Sequence, residues 1–242
     1  MCEQYKSSTP FLSRRNVMAG AAALLAANAL PRSVRAEQKA SPNAPNAIPP
    51  AEALERLMEG NARYAANAPN ERDFSATRAA RAGAQFPIAA VVSCSDSRVV
   101  PDLVFDQSPG DLFVVRLAGN IVNDDAFASL EYAVKFLGAP LILVLGHSNC
   151  GAVEAAIKVV MERAELPGHL PDLIKAIEPA VIAAHGRHPG DLLAVAIEEN
   201  VRLGMKRLKT DVPILSEALT AKTIDIAGGV YDITTGKVRL LS

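Results

Sequence analysis

The sequence predicts an α/β fold with a mostly parallel β-sheet flanked by helices, an antiparallel strand pair at the C-terminal end and a helical arm at the N-terminal end. Short runs of Val, Ile, Leu and Ala alternate with longer segments of helical periodicity, as in parallel strands that are connected by helices. Half of the 242 residues are apolar, but only 5% are aromatic and none is Trp, so aliphatic side chains must fill the core. Two of the apolar runs end abruptly in small polar residues, which is typical of strands that open into functional loops.

The segment 1–36 carries the pattern of a secretory signal peptide. Arg14 and Arg15 precede an apolar, Ala-rich run over Ala19–Leu30, and a small-residue exit follows at Val34–Ala36. The arginine pair resembles that of twin-arginine signals. Val17 and Ala19 differ from the residues that are common in that motif, so export by the Sec route is an alternative. The apolar run is shorter than the ~20 residues that a membrane-spanning helix needs, so a retained anchor is the less favoured alternative. We therefore expect an exported, periplasmic protein without a membrane span once the leader is removed.

A linker and a helical arm precede the predicted sheet. Glu37–Pro50 is rich in Pro, Asn and Ala, which predicts an extended linker ahead of a single domain at 51–242. Apolar residues at helical spacing predict an amphipathic helix over Ala51–Tyr64. Ala65–Phe86 has mixed polarity, so we expect a loop there that contains a short helix at Ser75–Ala82.

Alternating strands and helices are predicted for the rest of the chain. The first strand is a run of Val and Ala that follows Pro87 and ends near Cys94. The later predicted strands are Asp111–Leu117, Leu141–Leu145, Thr223–Tyr231 and Lys237–Leu241. The predicted helices are Asp124–Leu137, Gly151–Ala164, Leu170–His185, Gly190–Leu208 and Ser216–Ala221. Gly138 and Pro140 end the first of these helices, and the strand–helix alternation implies a mostly parallel sheet.

Composition excludes nucleic acid as a partner and a disulfide framework. The whole chain has 25 basic and 26 acidic residues, and without the predicted leader it would have 20 and 25, a formal net charge of −5. Such a chain offers no basic surface for a phosphate backbone. Of its three cysteines, Cys2 lies in the leader, and two cysteines in so large a domain make no disulfide framework. Cys94 and Cys150 therefore need another explanation.

Those two cysteines each have a neighbour of a metal-binding type. Cys94 is two residues from Asp96, so both side chains leave extended backbone on the same face. His147 comes after the Leu141–Leu145 strand and lies three residues before Cys150, at the start of the next helix. Because the carboxyl ends of parallel strands meet at one edge of a sheet, the four side chains are expected to converge. Soft sulfur together with imidazole selects zinc over magnesium or calcium.

Asp96 is the predicted ligand that can leave the metal. A closed set of four protein ligands is normally structural, whereas a catalytic zinc keeps one position for water. Arg98 can form a two-pronged pair with a carboxylate that has swung off the metal. Taken alone, Asp96 and Arg98 could be an ordinary surface ion pair, but their place beside Cys94 favours a catalytic role.

The residues around these ligands resemble the signature of β-class carbonic anhydrases. Two motifs carry the resemblance, Cys94-Ser95-Asp96-Ser97-Arg98-Val99 and His147-Ser148-Asn149-Cys150-Gly151. Further similar segments follow in the expected order at Phe105–Gln107, Gly110–Arg116, Ala118–Asn120, Glu131–Val134 and Gly229–Asp232. The resemblance spans roughly Ala51 to Leu241, and paired motifs at this spacing are far more specific than an isolated Cys-x-Asp.

By position, the resemblance implies one zinc ion bound by Cys94, His147 and Cys150. Asp96 would be either a fourth ligand in a closed state or, paired with Arg98, the group that orients a zinc-bound hydroxide. The implied reaction is the reversible hydration of carbon dioxide to bicarbonate and a proton, since zinc lowers the pKa of bound water from about 15.7 to about 7. Two thiolates donate more charge to the metal than neutral imidazoles would, so hydrogen bonds from the surroundings must support this acidification.

The resemblance also implies substrate-binding residues and an oligomer. Gln107 corresponds to a glutamine that holds substrate or bicarbonate, and Tyr132 to an aromatic residue of the pocket wall. The N–H group of Gly151 could bond a substrate oxygen at the start of a helix. Members of the family assemble as dimers or multiples of dimers, so we expect a homo-oligomer in which the arm over Ala51–Tyr64 crosses onto the partner.

Two other functions remain open from the sequence. A hydrolase of a related small heterocumulene, such as carbon disulfide or carbonyl sulfide, could use the same motifs. A non-catalytic zinc-binding module would keep Asp96 permanently on the metal, and the presence of Arg98 argues against it. The isolated histidines His169, His185 and His188 are interpreted as solvated residues.

Overall fold

The computed structural model describes residues 41, 43–210 and 213–242. The predicted signal peptide and the first part of the predicted linker lie outside these residues, so export to the periplasm stays a prediction. None of the helices in the described ranges is both long and apolar enough to cross a membrane.

The strands of the described residues form one five-stranded sheet. They are β1 (Ala89–Ser93), β2 (Leu112–Arg116), β3 (Leu141–His147), β4 (Asp225–Tyr231) and β5 (Val238–Leu240). Their order is β2-β1-β3-β4-β5, and all neighbours are parallel except β4 and β5, which pair antiparallel. The predicted α/β fold with a C-terminal antiparallel pair is confirmed.

Helices connect the strands and cover the sheet. In chain order they are α1 (Pro50–Ala65), α2 (Phe74–Arg81), α3 (Pro101–Val104), α4 (Asp124–Lys135), α5 (Gly151–Glu162), α6 (Leu170–Lys175), α7 (Glu178–His185), α8 (Leu192–Thr210) and α9 (Pro213–Thr220). A 3₁₀ turn at Ala118–Asn120 lies between β2 and α4. The sequence analysis did not predict α3 or this turn, because elements of three or four residues are too short to show a periodicity.

The helix predicted over Leu170–His185 is two helices, α6 and α7. Pro179 is the reason, because proline has no N–H group for a helix interior and disfavours the helical conformation of the residue before it. In the structure Pro179 lies in the first turn of α7, where the missing N–H group carries no penalty. Ile174 and Ile177, on either side of the break, are both buried in the cluster that contains the two site cysteines.

The strand order creates a crevice between β1 and β3. From β1 the chain moves to β2 on one side of β1, and it then crosses back to β3 on the other side. The loops that leave the carboxyl ends of β1 and β3 therefore run in opposite directions, and α/β proteins bind ligands in such crevices. Cys94 directly follows β1, and His147 is the last residue of β3.

Both faces of the sheet are buried, which explains why its central strands are continuous apolar runs. Ala89 and Val91 of β1 belong to a hydrophobic cluster on the α1 side of the sheet. Ala90 and Val92 belong to the cluster that α4 and α8 cover on the other side. Every residue of Leu141–Leu145 in β3 is fully buried.

Helix α1, the predicted arm, packs on the sheet of its own chain, and its expected crossing onto a partner stays a prediction. Its Ala53 and Leu57 are fully buried in the cluster that includes Leu143. Gly60 lies so close to the next segment that a Cβ atom there would come within 1.8 Å of the Phe105 carbonyl oxygen, so the helix can approach this closely only with glycine. Ahead of α1, the buried Asn46 donates to the carbonyl oxygens of Pro87 at 3.0 Å and Leu137 at 2.8 Å.

The substitution Leu143→Ala tests the packing of the central strand. Leu143 is fully buried, and we expect its truncation to lower the free energy of unfolding by about 2–5 kcal/mol because it leaves a cavity under α1. Urea unfolding measures this loss. The control is Ile182→Ala on α7, where the side chain is 60% exposed and the expected change is within about 0.5 kcal/mol. Equal losses in the two variants would contradict the described core.

Candidate metal centre

A short turn between β3 and α5 carries two of the predicted metal ligands, His147 and Cys150. His147 ends the strand, and Cys150 is the N-cap residue of the helix. Between them, Asn149 has a φ of 55°, a left-handed conformation that asparagine tolerates better than most residues. The turn therefore places Cys150 at the positive end of the α5 dipole, where a thiolate is stabilised.

Three predicted ligands meet at the carboxyl edge of the sheet. One sulfur each from Cys94 and Cys150 and a ring nitrogen of His147 all lie within 4.8 Å of one another. The three residues are buried, with exposed fractions of 5%, 1% and 0% for Cys94, Cys150 and His147. Two sulfur atoms bound to one tetrahedral zinc lie about 3.8 Å apart, so donors at these separations could hold a metal ion after small side-chain adjustments.

His147 presents a nitrogen that lacks a protein partner. Its Nδ1 lies 2.9 Å from the carbonyl oxygen of Ser148 and, as the donor of that bond, carries the ring proton. Nε2 is then the acceptor, and this buried atom has no hydrogen-bond partner among the described residues. Buried polar atoms are nearly always satisfied, and a metal ligand whose other ring nitrogen bonds a carbonyl group is a common arrangement. The orientation of His147 therefore fits a metal ion between Nε2 and the two sulfurs.

The two thiols are electrostatically coupled. The pKa of Cys94 lies well below its ordinary value because its sulfur accepts a hydrogen bond from the Cys150 thiol, with further bonds from the backbone N–H groups of Asp96 and Gly119. The negative charge on Cys94 in turn raises the pKa of Cys150, and burial raises it further. A divalent cation held by both sulfurs would displace the proton that the pair shares.

Asp96 is held by Arg98 and lies at the edge of the cluster. The Arg98 side chain donates from Nε to Oδ1 at 3.0 Å and from Nη2 to Oδ2 at 2.8 Å, and the Arg98 backbone N–H adds a bond of 2.9 Å to Oδ1. These hydrogen bonds from Arg98 hold the pKa of Asp96 well below its usual range, so the carboxylate is ionised. Asp96 Oδ2 lies 4.0 Å from Nε2 of His147. Of the two arrangements considered for Asp96, the structure has the one in which it is paired with arginine.

Arg116 supports the Cys94–Asp96 loop, a specific contact that the sequence does not predict. Its guanidinium group donates from Nε to the carbonyl oxygen of Cys94 at 3.1 Å and from Nη2 to that of Asp96 at 2.7 Å. Arg116 ends β2 and pairs in register with Ser93 of β1. Arg116 can be placed beside the loop only when the pairing of β2 with β1 and its register are known. Local sequence patterns do not give this pairing.

The predicted substrate-binding residues lie in different places. Gly151 is at the first position of α5, next to Cys150, and a Cβ atom added there would point into open space. Tyr132 lies on α4, where its half-exposed ring packs against Phe113 and Phe136. The side chain of Gln107 donates to the carbonyl oxygen of Phe105 at 2.8 Å.

Gln107 also lines a polar cavity of about 500 Å³, together with the buried Asp106 and its two ion-pair partners Arg63 and Arg72. The lining of this cavity includes none of the three metal-binding donors. The described part of the chain thus places Gly151 next to Cys150 and Gln107 in a cavity that none of the three donors lines, and the roles of Gly151, Gln107 and Tyr132 toward substrate stay predictions.

Comparisons with known sequences agree with the signature. A family model described as carbonic anhydrase matches residues 89–238, which include both ligand motifs. The carbonic anhydrase of Mycolicibacterium smegmatis is 36% identical over 200 residues, which cover 82% of this chain and 96% of the relative. Carbonic anhydrase 2 of Mycobacterium tuberculosis is 36% identical over 202 residues, which cover 81% of this chain and 94% of that protein.

Solved structures share the fold. The β-carbonic anhydrase CcaA superposes with a TM-score of 0.61 at 31% identity, covering 78% of this chain and 95% of its own. The β-carbonic anhydrase of Coccomyxa, solved in complex with acetazolamide, has a TM-score of 0.62 at 29% identity and covers 78% of this chain and 86% of its own. One of two tetrameric β-carbonic anhydrases from Sordaria macrospora has a TM-score of 0.61 at 26% identity, covering 69% of this chain and 90% of its own.

Proposed function

The chain belongs to the β-class carbonic anhydrase family, and from that premise we propose that it catalyses the zinc-dependent, reversible hydration of carbon dioxide to bicarbonate and a proton. The observation that supports this most strongly is the buried set of two sulfurs and one unpartnered imidazole nitrogen within 4.8 Å of one another. We propose Cys94, His147 and Cys150 as the ligands of one zinc ion. When bound, zinc would lower the pKa of a coordinated water so that hydroxide is available near pH 7.

Asp96 is proposed to orient the attacking water. Since its pKa is low, the carboxylate can only accept hydrogen bonds, and Arg98 fixes both of its oxygens. A water beside Asp96 Oδ2 must therefore direct a proton toward that oxygen and a lone pair away from it. Pre-orientation of the nucleophile in this way costs no reorganisation during the reaction.

The inner wall of the site suits a small apolar substrate. Cys94 and Cys150 belong to a hydrophobic cluster with Val153, Ile177 and Ile197. Carbon dioxide is uncharged and needs no ion pair for binding, whereas the bicarbonate product carries a negative charge that the N–H groups at the start of α5 can stabilise. Gly151 at that helix start is the proposed partner of a substrate oxygen.

The test is a carbon dioxide hydration assay on the purified full chain, followed by stopped flow with a pH indicator. We expect rapid proton release that disappears after zinc is removed with a chelator and returns when zinc is added. Parallel assays with carbonyl sulfide and carbon disulfide examine the alternative hydrolase. Turnover of either of these gases by the zinc-loaded protein, without hydration of carbon dioxide, would overturn the proposed reaction, and absence of all three activities would point to a non-catalytic zinc module.

We also propose that the chain forms a homodimer or a multiple of dimers, on the family resemblance and on the tetrameric state named for the Sordaria macrospora relatives. Light scattering coupled to gel filtration should give an even multiple of the chain mass. A monomeric mass for the active protein would contradict this.

A further inference from the structure

A single turn connects the metal centre to a distant helix. The 3₁₀ turn at Ala118–Asn120 follows β2, and the N–H group of Gly119 donates to the sulfur of Cys94 at 3.2 Å. Gly119 has a φ of 68°, and a Cβ atom there would come within 2.6 Å of Ile177 Cδ1. Glycine is therefore needed both for the left-handed conformation and for the close packing that aims this N–H group at the sulfur.

Asn200 holds the other side of Gly119. It lies on α8, is only 4% exposed, and its Nδ2 donates to the carbonyl oxygen of Gly119 at 2.7 Å. The start of the turn is tied to β1 by a bond from the Leu117 N–H to the Ser93 carbonyl oxygen at 3.1 Å. Asn200 therefore ties the Gly119 turn to helix α8.

We propose that Asn200 is a positioning residue for the metal centre: by holding the Gly119 carbonyl, it keeps the Gly119 N–H group directed at Cys94 Sγ. This inference rests on the proposed zinc ligands and adds a residue that acts through one of them. A hydrogen bond to a ligating sulfur withdraws part of the charge that the sulfur donates to the metal and fixes the direction of its lone pairs. Such support is what a site with two thiolates requires.

If Asn200 had a purely structural role, its loss would destabilise the fold without a specific effect on the metal. Asn61 provides the matched control for that case. Asn61 is 3% exposed on α1, and its side chain donates to the carbonyl oxygens of Val104 and Gly236 and accepts from the N–H group of Val238. It is thus an equally buried, hydrogen-bonded asparagine without a bond to the metal-site turn. Loss of either amide is expected to lower the urea midpoint of unfolding.

The experiment compares the unmodified chain with Asn200→Ala and Asn61→Ala after replacement of zinc by cobalt. We expect the sulfur-to-cobalt charge-transfer band of Asn200→Ala to move to longer wavelength, because a sulfur without its hydrogen bond gives up charge more readily. We also expect its zinc affinity, measured by chelator competition, to fall about 10–100-fold, the usual effect of losing a group that supports a ligand. Asn61→Ala should keep the band position and the affinity of the unmodified chain.

The outcomes separate this inference from the proposed function. If the unmodified chain shows no sulfur-to-cobalt band, the ligand set itself is wrong. If it shows the band and Asn200→Ala leaves both band and affinity unchanged, or shifts them no more than Asn61→Ala does, the ligand set stands and Asn200 has no positioning role.

A second measurement needs no variant. In the unmodified chain loaded with cadmium-113, a scalar coupling between the metal and the Gly119 amide proton would report the N–H···S bond directly. Its presence would establish the N–H···S bond that Asn200 is proposed to maintain, even if Asn200→Ala does not fold. Absence of this coupling, with cadmium bound through sulfur, would overturn the proposal.

Discussion

The Cys150→Ser variant is expected to lose its zinc and, with it, the hydration of carbon dioxide. Cys150 is buried beside Cys94 and His147 at the start of α5. A serine hydroxyl keeps its proton near neutral pH and is a poor ligand for zinc, so only two strong donors remain. The loss of zinc affinity should exceed the roughly 10–100-fold that follows the loss of a supporting group. Metal analysis after dialysis against a chelator measures it.

The control is Cys2→Ser in the same full chain, because Cys2 is the remaining cysteine of the sequence and lies in the predicted leader. This variant should bind zinc and hydrate carbon dioxide like the unmodified chain. Stoichiometric zinc in Cys150→Ser after chelator treatment, with activity preserved, would show that the metal is held by other residues.

The Asp96→Asn variant is expected to keep its zinc but to lose about 10²–10⁴-fold in kcat, the range typical of a positioned proton acceptor. In the structure Asp96 lies outside the three-donor set and is held by two side-chain hydrogen bonds from Arg98. An asparagine amide has one oxygen and one donor group, so it can neither accept both arginine bonds nor act as an acceptor only. Stopped-flow hydration rates and zinc content of the same sample test both halves of this expectation.

Asp73→Asn is the matched control for this carboxylate-to-amide change. Asp73 is the N-cap of α2 and accepts hydrogen bonds from the N–H groups of Ser75 and Ala76. Asparagine caps helices about as well, so fold and kcat should be preserved. If Asp96→Asn retained the rate of Asp73→Asn, Asp96 would have no part in the reaction. If it lost zinc instead, Asp96 would be a required ligand.

The general fold could be predicted because each strand is locally distinct. Leu141–Leu145 is a continuous apolar run in the sequence and is completely buried in β3. Cys94 and His147 could be placed at one edge because both follow such runs, and parallel strands bring their carboxyl ends together. Local patterns and the spacing of the motifs were sufficient to predict where Cys94 and His147 lie in the fold.

Contacts between distant segments could not be predicted. Asn200 lies 81 positions after Gly119, and only the docking of α8 on the sheet brings the two together. The sequence left two partners open for Asp96, a metal ion and Arg98, because its position in the chain is compatible with both. Gln107 was assigned by resemblance alone, and the structure places it in a separate cavity beside Arg63 and Asp106.

The most direct test of the account is X-ray absorption at the zinc edge of the purified, zinc-loaded chain. Ligation by Cys94, His147 and Cys150 predicts two sulfur atoms at about 2.3 Å, one imidazole nitrogen at about 2.0–2.1 Å and one further light atom. A first shell made only of nitrogen and oxygen, or one with a single sulfur, would contradict the proposed metal centre and the reaction built on it.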